Sequence, residues 1–275
     1  MRISKLLAKI WYTLDRRHRL ITLRNLEFAL GPALTPRQRQ EMALRVFEHF
    51  VRVCFEAVGM LFLPLTTLRE RVVVVGNEYA EAALQEGKGL VAIVAHAGNW
   101  ELTGMVYGLA YHPLAIVARR HDHPVMDRII RAFRERGGNT MIPKQGGLKA
   151  ILVRLKQQEI VGMAIDQNTT TKGGILVDFF GQRARTTPIA AILARRFGTP
   201  VLPVLSRRLP DGRHLMEIKP PIPMEVTDNA EEDIRRHVQL QSDMVADWIR
   251  QSPEQWLWLH RRWKNQYPEL YADLG

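Results

Sequence analysis

Residues 90–95 and 160–165 are two short, uninterrupted apolar runs, LVAIVA and IVGMAI, and they restrict the fold more than any other feature. Strands buried on both faces have this composition, which is typical of parallel sheets covered by helices. Further short apolar segments at 71–75, 114–118 and 201–205 alternate with helical patterns. This alternation predicts an α/β fold with a central, mostly parallel sheet flanked by helices.

The first 65 residues have a different pattern, which is helical. Near the N-terminus the apolar residues recur at helical spacing: Ile3, Leu6, Leu7, Ile10, Trp11 and Leu14. Arg2, Lys5 and Lys9 lie off this stripe. A basic amphipathic helix with a tryptophan is typical of a helix lying in an anionic membrane interface, although a first helix packed on its own core has the same pattern. We predict a helical membrane-associating region at 1–65 and an α/β domain at 66–275, together forming one continuous structural unit.

The charge of the chain is strongly basic, with 39 lysines and arginines against 28 aspartates and glutamates, a net charge of +11. Such an excess indicates an anionic partner, which is an acidic membrane surface, an acidic protein or nucleic acid. Nucleic acid is disfavoured because, apart from the C-terminal run of tryptophans and arginines, the aromatic residues are not interleaved with basic residues on any predicted strand. The sequence has neither an apolar run of 18 residues nor a signal peptide, so we expect peripheral attachment without a transmembrane helix.

Several chemistries lack the residues that they require. The chain has four serines: Ser4, Ser206, Ser242 and Ser252. None lies in the glycine-flanked turn of a serine hydrolase. The single cysteine, Cys54, excludes an intrachain disulfide, indicates a reducing compartment and falls on an apolar helical stripe, where we expect it to be buried. His121 and His123 offer two imidazoles, but no further histidine or cysteine lies at a ligand spacing, so we expect no metal site.

The stretch AHAGNWE directly follows the apolar run at 90–95 and places His96 at a boundary between a strand and a helix. In α/β proteins, ligands bind outside the carboxyl ends of the strands, facing helix N-termini. Asn99 can cap the following helix, and Gly98 leaves room for a substrate near the backbone. Glu101 can hold one imidazole nitrogen while the other takes a proton. The pattern predicts a general base without a protein nucleophile, although the H-x4-E spacing alone has little specificity.

HAGNWE resembles the H-x4-D/E motif of the glycerolipid and lysophospholipid acyltransferase superfamily. Its H-x-G-N-W-E form is similar to the branch of lipid A biosynthesis (lauroyl/myristoyl) acyltransferases, which also includes phosphatidylinositol mannoside acyltransferases. The likeness extends in order along most of the chain: Asn25-Leu26, Gly87-Lys88-Gly89, Arg119, Arg134, Gly137, Asp166-Gln167, residues 177–181, Ala184, Thr186-Thr187, Trp256 and Trp263. One departure is His123-Pro124, because relatives often have Asn before that proline, and this puts a polar role at that position in doubt.

The resemblance implies an acyltransferase that moves a fatty acyl chain from an acyl thioester to a hydroxyl of a membrane lipid, most simply a lipid A precursor or a related lysolipid. It implies no covalent acyl-enzyme and no cofactor, with acyl-carrier protein or acyl-CoA as co-substrate. The enzyme would lie peripherally at the cytoplasmic face of a bacterial inner membrane. A thioesterase or lipid hydrolase that uses the same histidine on water is an alternative, as is a non-catalytic lipid-binding protein.

The resemblance also assigns roles to residues. His96 would be the general base, Glu101 its orienting partner, and Asp166 an acidic residue that assists the site, with a loop cap as the alternative. Arg119 and Arg134 would bind substrate phosphates, unless they are solvated surface arginines. The complete set of predicted substrate-binding residues is Asn99, Trp100, Arg119, Arg134, Gln167, Phe180 and Gly181. For Phe180 and Gly181 an apolar strand end is an equal explanation, and for the three C-terminal tryptophans, Trp256, Trp258 and Trp263, we expect a core or interface position.

Overall fold

The computed structural model describes residues 2–119 and 124–274, and the apolar runs form strands within them. The strands are Val72–Val75 (β1), Leu90–Val94 (β2), Leu114–Ala118 (β3), Thr140–Pro143 (β4), Ile160–Ala164 (β5), Ile175–Phe179 (β6), Gln182–Thr186 (β7), Val201–Arg208 (β8) and His214–Ile218 (β9). In this part of the chain, one sheet has the order β1-β9-β8-β2-β5-β3-β4, and β6 and β7 form a separate hairpin. In the seven-stranded sheet all neighbouring strands are parallel except β8 and β9, which are antiparallel. The predicted α/β fold class with a mostly parallel sheet is confirmed.

Helices connect the strands and cover the sheet. Over the same described residues, the α-helices are Arg2–Leu14 (α1), Arg16–Leu30 (α2), Pro36–Phe62 (α3), Leu65–Glu70 (α4), Asn77–Gln85 (α5), Trp100–Ala110 (α6), Pro124–Arg136 (α7), Leu148–Lys156 (α8), Ile189–Phe197 (α9) and Ala230–Gln251 (α10). α3 begins with a capped first turn, because Thr35 accepts a hydrogen bond from the backbone of Gln38 and Pro36 occupies the first helical position. Residues 253–274 continue as short 3-10 helices and turns.

The register of the central strands determines which side chains meet at the carboxyl edge of the sheet. Val94 of β2 pairs with Ala164 of β5. His96 and Asp166 follow two residues after Val94 and Ala164, so they lie next to each other just beyond the edge of the sheet. This edge lies next to the N-terminus of α6, which begins four residues after His96. The fold thus brings together two polar residues that are 70 positions apart in the sequence.

The N-terminal helices share the core of the α/β domain. Val46 and Phe50 of α3 are buried in the same apolar cluster as Ile93 of β2 and Val161 of β5. A division of the chain at residue 65 stays a prediction, and so does membrane association of the region before it. No helix in the described part of the chain is long and apolar enough to cross a bilayer.

The outer surface of α1 and α3 retains many exposed apolar side chains. They are Ile3, Leu6, Leu7, Ile10 and Leu14 on α1 and Phe55, Val58 and Phe62 on α3. The two helices pack against each other through Trp11 and Tyr12, whose rings meet Phe47 edge to face. Cys54 is exposed rather than buried, so that prediction is wrong. The physical reason is that the outer face of this part of α3 carries apolar residues as well as the inner one, so the apolar pattern did not distinguish the two.

Candidate active site

His96 is held at the carboxyl edge of the sheet by two hydrogen bonds to one carboxylate. Its backbone N–H donates to Oδ2 of Asp166 at 2.7 Å, and its ring Nδ1 lies 2.8 Å from Oδ1 of Asp166. Because an ionised carboxylate can only accept, Nδ1 carries the hydrogen and Nε2 keeps a free lone pair in the neutral ring. His96 is 19% exposed at the side chain, and Asp166 is buried. The arrangement is that of a general base with an orienting carboxylate.

Opposing effects act on the pKa values of this pair. For Asp166, burial favours the neutral form, but the charge and hydrogen bonds of His96 and a hydrogen bond from Nε1 of Trp256 at 2.8 Å outweigh it, so its pKa lies well below the usual range. For His96, burial lowers the pKa, and the Asp166 carboxylate more than compensates, so the pKa is raised. Asp166 therefore stays ionised and stabilises the imidazolium that forms when His96 takes a proton.

Glu101 lies beside this pair with a different partner from the one predicted. Its carboxylate accepts two hydrogen bonds from Arg134, one from Nε at 2.8 Å and one from Nη2, and a third from Nε1 of Trp100 at 3.2 Å. We predicted that Glu101 orients the imidazole, but Asp166 occupies that position in the structure. The reason is geometric, because the strand register delivers Asp166 to Nδ1 while α7 brings the Arg134 guanidinium to Glu101. A catalytic role of Glu101 stays a prediction.

Arg134 is a buried component of the site, so the solvated surface position considered for it is wrong. Its paired guanidinium places a positive charge near His96, and this charge contributes to the balance of the His96 pKa. Arg119 follows the last residue of β3 and is exposed. It is not among the residues that line the cavity described below. Phosphate binding by either arginine stays a prediction.

The residues between His96 and α6 fix the shape of the catalytic loop. Asn99 caps α6 as expected, since its Oδ1 accepts from the backbone of Leu102 at 3.0 Å. The Trp100 ring packs edge to face on the His96 ring with centroids 5.1 Å apart. Gly98 has a φ of +61°, and a Cβ there would lie 2.6 Å from the carbonyl oxygen of Ser206. Glycine is therefore required by this close backbone approach, and room for a substrate beside it stays a prediction.

Side chains of α3 and β8 support the same loop from behind. Nδ2 of Asn99 donates a hydrogen bond to the Glu56 carboxylate at 2.8 Å, and both terminal nitrogens of Arg208 donate hydrogen bonds to the same carboxylate. Burial lowers the pKa of His49 to about 4, so its ring is neutral near pH 7. Nε2 of His49 therefore donates to the carbonyl oxygen of Gly98 at 3.0 Å. These residues were missed in the sequence because they lie on α3 and β8, whose patterns indicate only helix and strand.

The C-terminal segment forms hydrogen bonds with three consecutive residues of the loop that follows β5: Asp166, Gln167 and Asn168. Besides the Trp256 bond to Asp166, Arg262 donates to the carbonyl of Gln167 at 2.7 Å, and the backbone N–H of Asn168 donates to Nε2 of His260 at 2.9 Å. The backbone N–H of Leu257 donates to the carbonyl of His96 at 3.1 Å. The segment thus fixes both catalytic loops relative to each other.

The side chain of Gln167 extends this arrangement to the reacting nitrogen. Its Nε2 is 3.5 Å from Nε2 of His96, where an acceptor hydroxyl would have to approach.

The tryptophans at 256, 258 and 263 are fully buried, as expected. The contributions of His260 and Arg262 were missed, and the only available signal was their position in the aromatic and basic run WLWLHRRWK.

Phe180 and Gly181 do not line the site. Both have positive φ, of 60° and 74°, and they form the two-residue turn between β6 and β7. The Phe180 ring is buried against Trp256 and Trp258, with centroids 6.4 and 5.9 Å away. Neither residue is among those that line the cavity, and substrate contact by either of them stays a prediction. The alternative considered, the apolar end of a strand, describes Phe180 correctly.

An apolar cavity of about 190 Å³ begins at His96 and continues between the sheet and α6. Polar and charged residues of its lining include His96, Glu101, Arg134, Lys144 and Gln167. Apolar and small residues that line it include Leu90, Ala92, Val94, Gly104, Tyr107, Ile116, Ile160, Gly162, Ala164, Leu202, Val204 and Ile218. The cavity therefore combines one polar end, at the base, with a long apolar interior, which suits a ligand with a reactive head and a hydrocarbon chain.

The described residues hold no group of three or more histidine, cysteine or carboxylate side chains that could bind a metal ion. His121 and His123, the pair considered in the sequence, lie outside the described residues, as does the first half of the unusual His123-Pro124. The site geometry thus consists of a histidine, its carboxylate, a neighbouring ion pair and an apolar cavity.

In sequence, the chain is similar to known acyltransferases. The sequence model of the bacterial lipid A biosynthesis acyltransferases matches residues 1–265. The chain is 28% identical over 262 residues to a lipid A biosynthesis lauroyltransferase of Escherichia coli, covering 94% of this chain and 83% of that protein. It is 27% identical over 246 residues to a phosphatidylinositol mannoside acyltransferase of Mycolicibacterium smegmatis, covering 87% and 78%. Among solved structures it is similar to a 1-acyl-sn-glycerophosphate acyltransferase of Thermotoga maritima, with a TM-score of 0.40 and 17% identity over 86% of this chain and 97% of that one.

Proposed function

Since this chain belongs to the bacterial lipid A biosynthesis acyltransferase family and is an acyltransferase that acts on a lipid, we propose that it moves a fatty acyl chain from an acyl thioester to a hydroxyl of a lipid A precursor or a related lysolipid. The observation that carries this proposal is the position of His96, bonded to Asp166 at the polar end of an apolar cavity. The imidazole supplies a base for the hydroxyl, and the cavity supplies the dry surroundings that an acyl chain needs.

In the proposed reaction, Nε2 of His96 takes the proton of the acceptor hydroxyl while the hydroxyl oxygen attacks the thioester carbonyl carbon. The former carbonyl oxygen becomes negatively charged, and the N-terminus of α6 provides positive potential beside it. When the tetrahedral intermediate collapses, the carbon–sulfur bond breaks and the leaving thiolate takes the proton from the imidazolium. The acyl chain passes directly to the lipid oxygen, without a covalent acyl-enzyme and without a metal or other cofactor.

The donor in this proposal is an acyl thioester of acyl-carrier protein or of CoA. The net charge of +11 favours the acidic carrier protein, because opposite charges accelerate the encounter of two proteins. Lys144 lies at the polar end of the cavity, close to where the thioester would enter. The thioester serves as a co-substrate, so its carbonyl carbon has to reach His96 while the chain occupies the cavity.

Gly162 is positioned to limit the acyl chain that the cavity accepts. It lines the cavity from β5 and lies four residues before Asp166, which corresponds to about 13 Å of extended chain. A Cβ added at Gly162 meets no atom within 4 Å. We expect Gly162→Leu to leave the fold intact and to shorten the cavity. Each methylene that no longer fits loses about 0.8 kcal/mol, so kcat/KM should fall about fourfold for each excluded methylene. The measurement compares a series of donor chain lengths, in which short donors serve as the internal control. An equal loss for all lengths would contradict this placement.

Attachment to an anionic membrane surface is proposed through the outer face of α1 and α3. The exposed apolar side chains of Ile3, Leu6 and Ile10 lie on the same helix as Lys5 and Lys9. Apolar residues that enter the headgroup region and lysines that meet anionic lipids both contribute to such binding. We propose that the protein acts from this position at the cytoplasmic face of the bacterial inner membrane.

Two matched variants test the membrane surface. Ile10 on α1 and Leu240 on α10 are both 45% exposed. We expect Ile10→Asp to reduce partitioning onto vesicles of anionic lipid by about tenfold, because it removes an apolar side chain proposed to insert into the headgroup region and adds a negative charge that anionic lipids repel. Leu240→Asp introduces the same charge and should leave partitioning nearly unchanged. Vesicle co-sedimentation measures both, and equal losses would show that the effect is one of net charge alone.

Product analysis tests the proposed reaction itself. With purified protein, a labelled acyl thioester and a hydroxyl-bearing lipid, we expect the label in acylated lipid in proportion to the thiol released. A hydrolase that uses the same histidine would instead release labelled free fatty acid, and a lipid-binding protein would release no thiol. Lipid mass spectrometry of cells with and without the protein then identifies the acceptor, since one lipid should lack an acyl chain in cells without it.

A further inference from the structure

The apolar cavity opens to solvent at the N-terminus of α8. Of the described residues that line the cavity, Lys144 and Leu148 are exposed, and the others are buried or half-buried. Lys144 directly follows β4, and Leu148 is the first residue of α8. These two residues therefore mark the mouth of the cavity, and they connect it with the outer surface of α8.

The outer surface of α8 is uncovered and combines lysines with apolar side chains. Lys149, Val153 and Lys156 recur at i, i+4 and i+7, so they lie on one side of the helix, and all three are exposed. Leu148 at the mouth is exposed beside them. We call these four residues the α8 face. Ile151, on the opposite side, is buried in the core, so the helix packs through one side and presents the α8 face to solvent.

The charge around this face has one sign. The stretch from Lys144 to Gln158 contains four cationic residues and no carboxylate. The guanidinium of Arg154 is neutralised, since its Nη1 donates to both oxygens of Glu159, at 3.0 and 3.1 Å. The three other cations are the lysines at 144, 149 and 156, and α8 itself has no acid to pair with them. They give the surface beside the mouth a positive potential.

This combination of charge and apolar surface fits an acidic protein. Protein interfaces commonly place apolar side chains at the centre and complementary charges around them, and Val153 lies between Lys149 and Lys156 in this way. The face extends from the mouth for about 12 Å along the helix, so a protein docked on it has its bound thioester group close to the mouth. A CoA thioester needs only the mouth itself. The face on α1 and α3 is mainly apolar, which is more typical of a membrane surface.

We propose that the α8 face is the docking surface for an acidic acyl-carrier protein, which delivers its acyl thioester to the mouth of the cavity. The proposal deepens the proposed function, where net charge alone favours the carrier, and rests on it for the thioester. Lys149 and Lys156 pair with carboxylates of the carrier, while Leu148 and Val153 contact apolar side chains between those carboxylates. Lys144 at the mouth attracts the same acidic partner as the acyl chain enters.

A binding measurement tests this surface without turnover. The probe is a bacterial acyl-carrier protein that has its prosthetic arm but no acyl group. We expect the variant Lys149→Glu, Lys156→Glu to bind it about tenfold more weakly or worse, and added salt to weaken binding more in wild type than in the variant. The control is Arg69→Glu, Arg71→Glu, which reverses two exposed charges next to β1, at the opposite end of the sheet from β4. An absence of binding to wild type, or equal weakening in the control, overturns the proposal.

A kinetic measurement separates the carrier from CoA as the partner of the α8 face. The donors are the lauroyl thioester of the carrier protein and lauroyl-CoA. We expect the Lys149→Glu, Lys156→Glu variant to raise KM for the carrier thioester about tenfold with a small change in kcat, and to keep KM for lauroyl-CoA within about twofold. The CoA reaction also shows that the variant is folded. An unchanged KM for the carrier thioester, or an equal rise for both donors, overturns the proposal.

Two further outcomes distinguish this surface from the membrane and from the proposed function. If the α8 variant loses partitioning onto anionic vesicles while its KM for the carrier thioester is unchanged, the α8 face is a membrane surface and the proposal is wrong. If the carrier binds wild type and is lost in the α8 variant, but no acyl group reaches a lipid, the docking surface is upheld and the proposed function is rejected.

Discussion

Replacing His96 with alanine is expected to reduce kcat/KM for acyl transfer by about 10³- to 10⁴-fold while the protein stays folded. The loss is the contribution of a positioned general base, since no other described residue has a free imidazole nitrogen at the polar end of the cavity. The residual rate would come from the cavity, which still holds the chain, and from the positive potential near the thioester carbonyl. The measurement is the initial rate of acylated lipid formation at saturating thioester.

His112 provides the control for this variant. Its ring is partly exposed and pairs with Glu81 at the surface, 2.9 Å away. His112→Ala should retain wild-type activity within about twofold, with a loss of stability near 0.5 kcal/mol, as expected for an exposed ion pair. If His96→Ala is active within tenfold of wild type under the same conditions, the assignment of His96 as the base is wrong. Thermal unfolding of both variants separates loss of chemistry from loss of fold.

The second large effect is expected for Asp166→Asn, with a fall in kcat/KM of about 10³-fold. The amide has the size of the carboxylate but no charge, so it no longer stabilises the imidazolium and no longer selects the tautomer with hydrogen on Nδ1. In the wild type, Oδ2 of Asp166 accepts hydrogen bonds from the backbone N–H of His96 and from the indole N–H of Trp256. The oxygen of the asparagine amide can still accept both. The variant therefore keeps much of the local geometry while losing the electrostatic effect.

Comparison with Glu101→Gln decides which carboxylate acts on the imidazole. Glu101 contributes to the raised pKa of His96 less than Asp166 does, and its hydrogen bonds go to Arg134 and Trp100. We expect a smaller loss of activity than for Asp166→Asn, together with a loss of stability because the buried Arg134 guanidinium loses its charged partner. A loss in Glu101→Gln that equals or exceeds the loss in Asp166→Asn would restore the pairing predicted from the sequence.

Much of the fold could be predicted from the sequence because its signals are local. The apolar runs at 90–95 and 160–165 are long enough to identify buried strands, and each is followed by a polar residue at the edge where sites form. His96 and the cap at Asn99 were found in this way. These inferences need only the period of the apolar pattern and the chemistry of the residue that interrupts it.

The partners within the site could not be predicted, because they depend on contacts between distant elements. The pairing of His96 with Asp166 follows from the register of β2 against β5, which the sequence does not contain. The pairing of Glu101 with Arg134 depends on how α7 packs on α6. The turn position of Phe180 could not be predicted for a similar reason, since its place in the motif did not show that it forms a hairpin turn that packs on the C-terminal tryptophans.

The dependence of kcat/KM on pH tests most directly whether His96, held by Asp166, is the base. A base must be neutral to act, so activity falls as the pH drops through the pKa of His96, which the Asp166 carboxylate raises above its ordinary value of about 6.5. Wild type should therefore lose activity on an acid limb with an apparent pKa above about 6.5. In Asp166→Asn, without the carboxylate, the limb should move to lower pH beneath a much lower plateau. An acid limb at the same pH in wild type and Asp166→Asn would contradict the account.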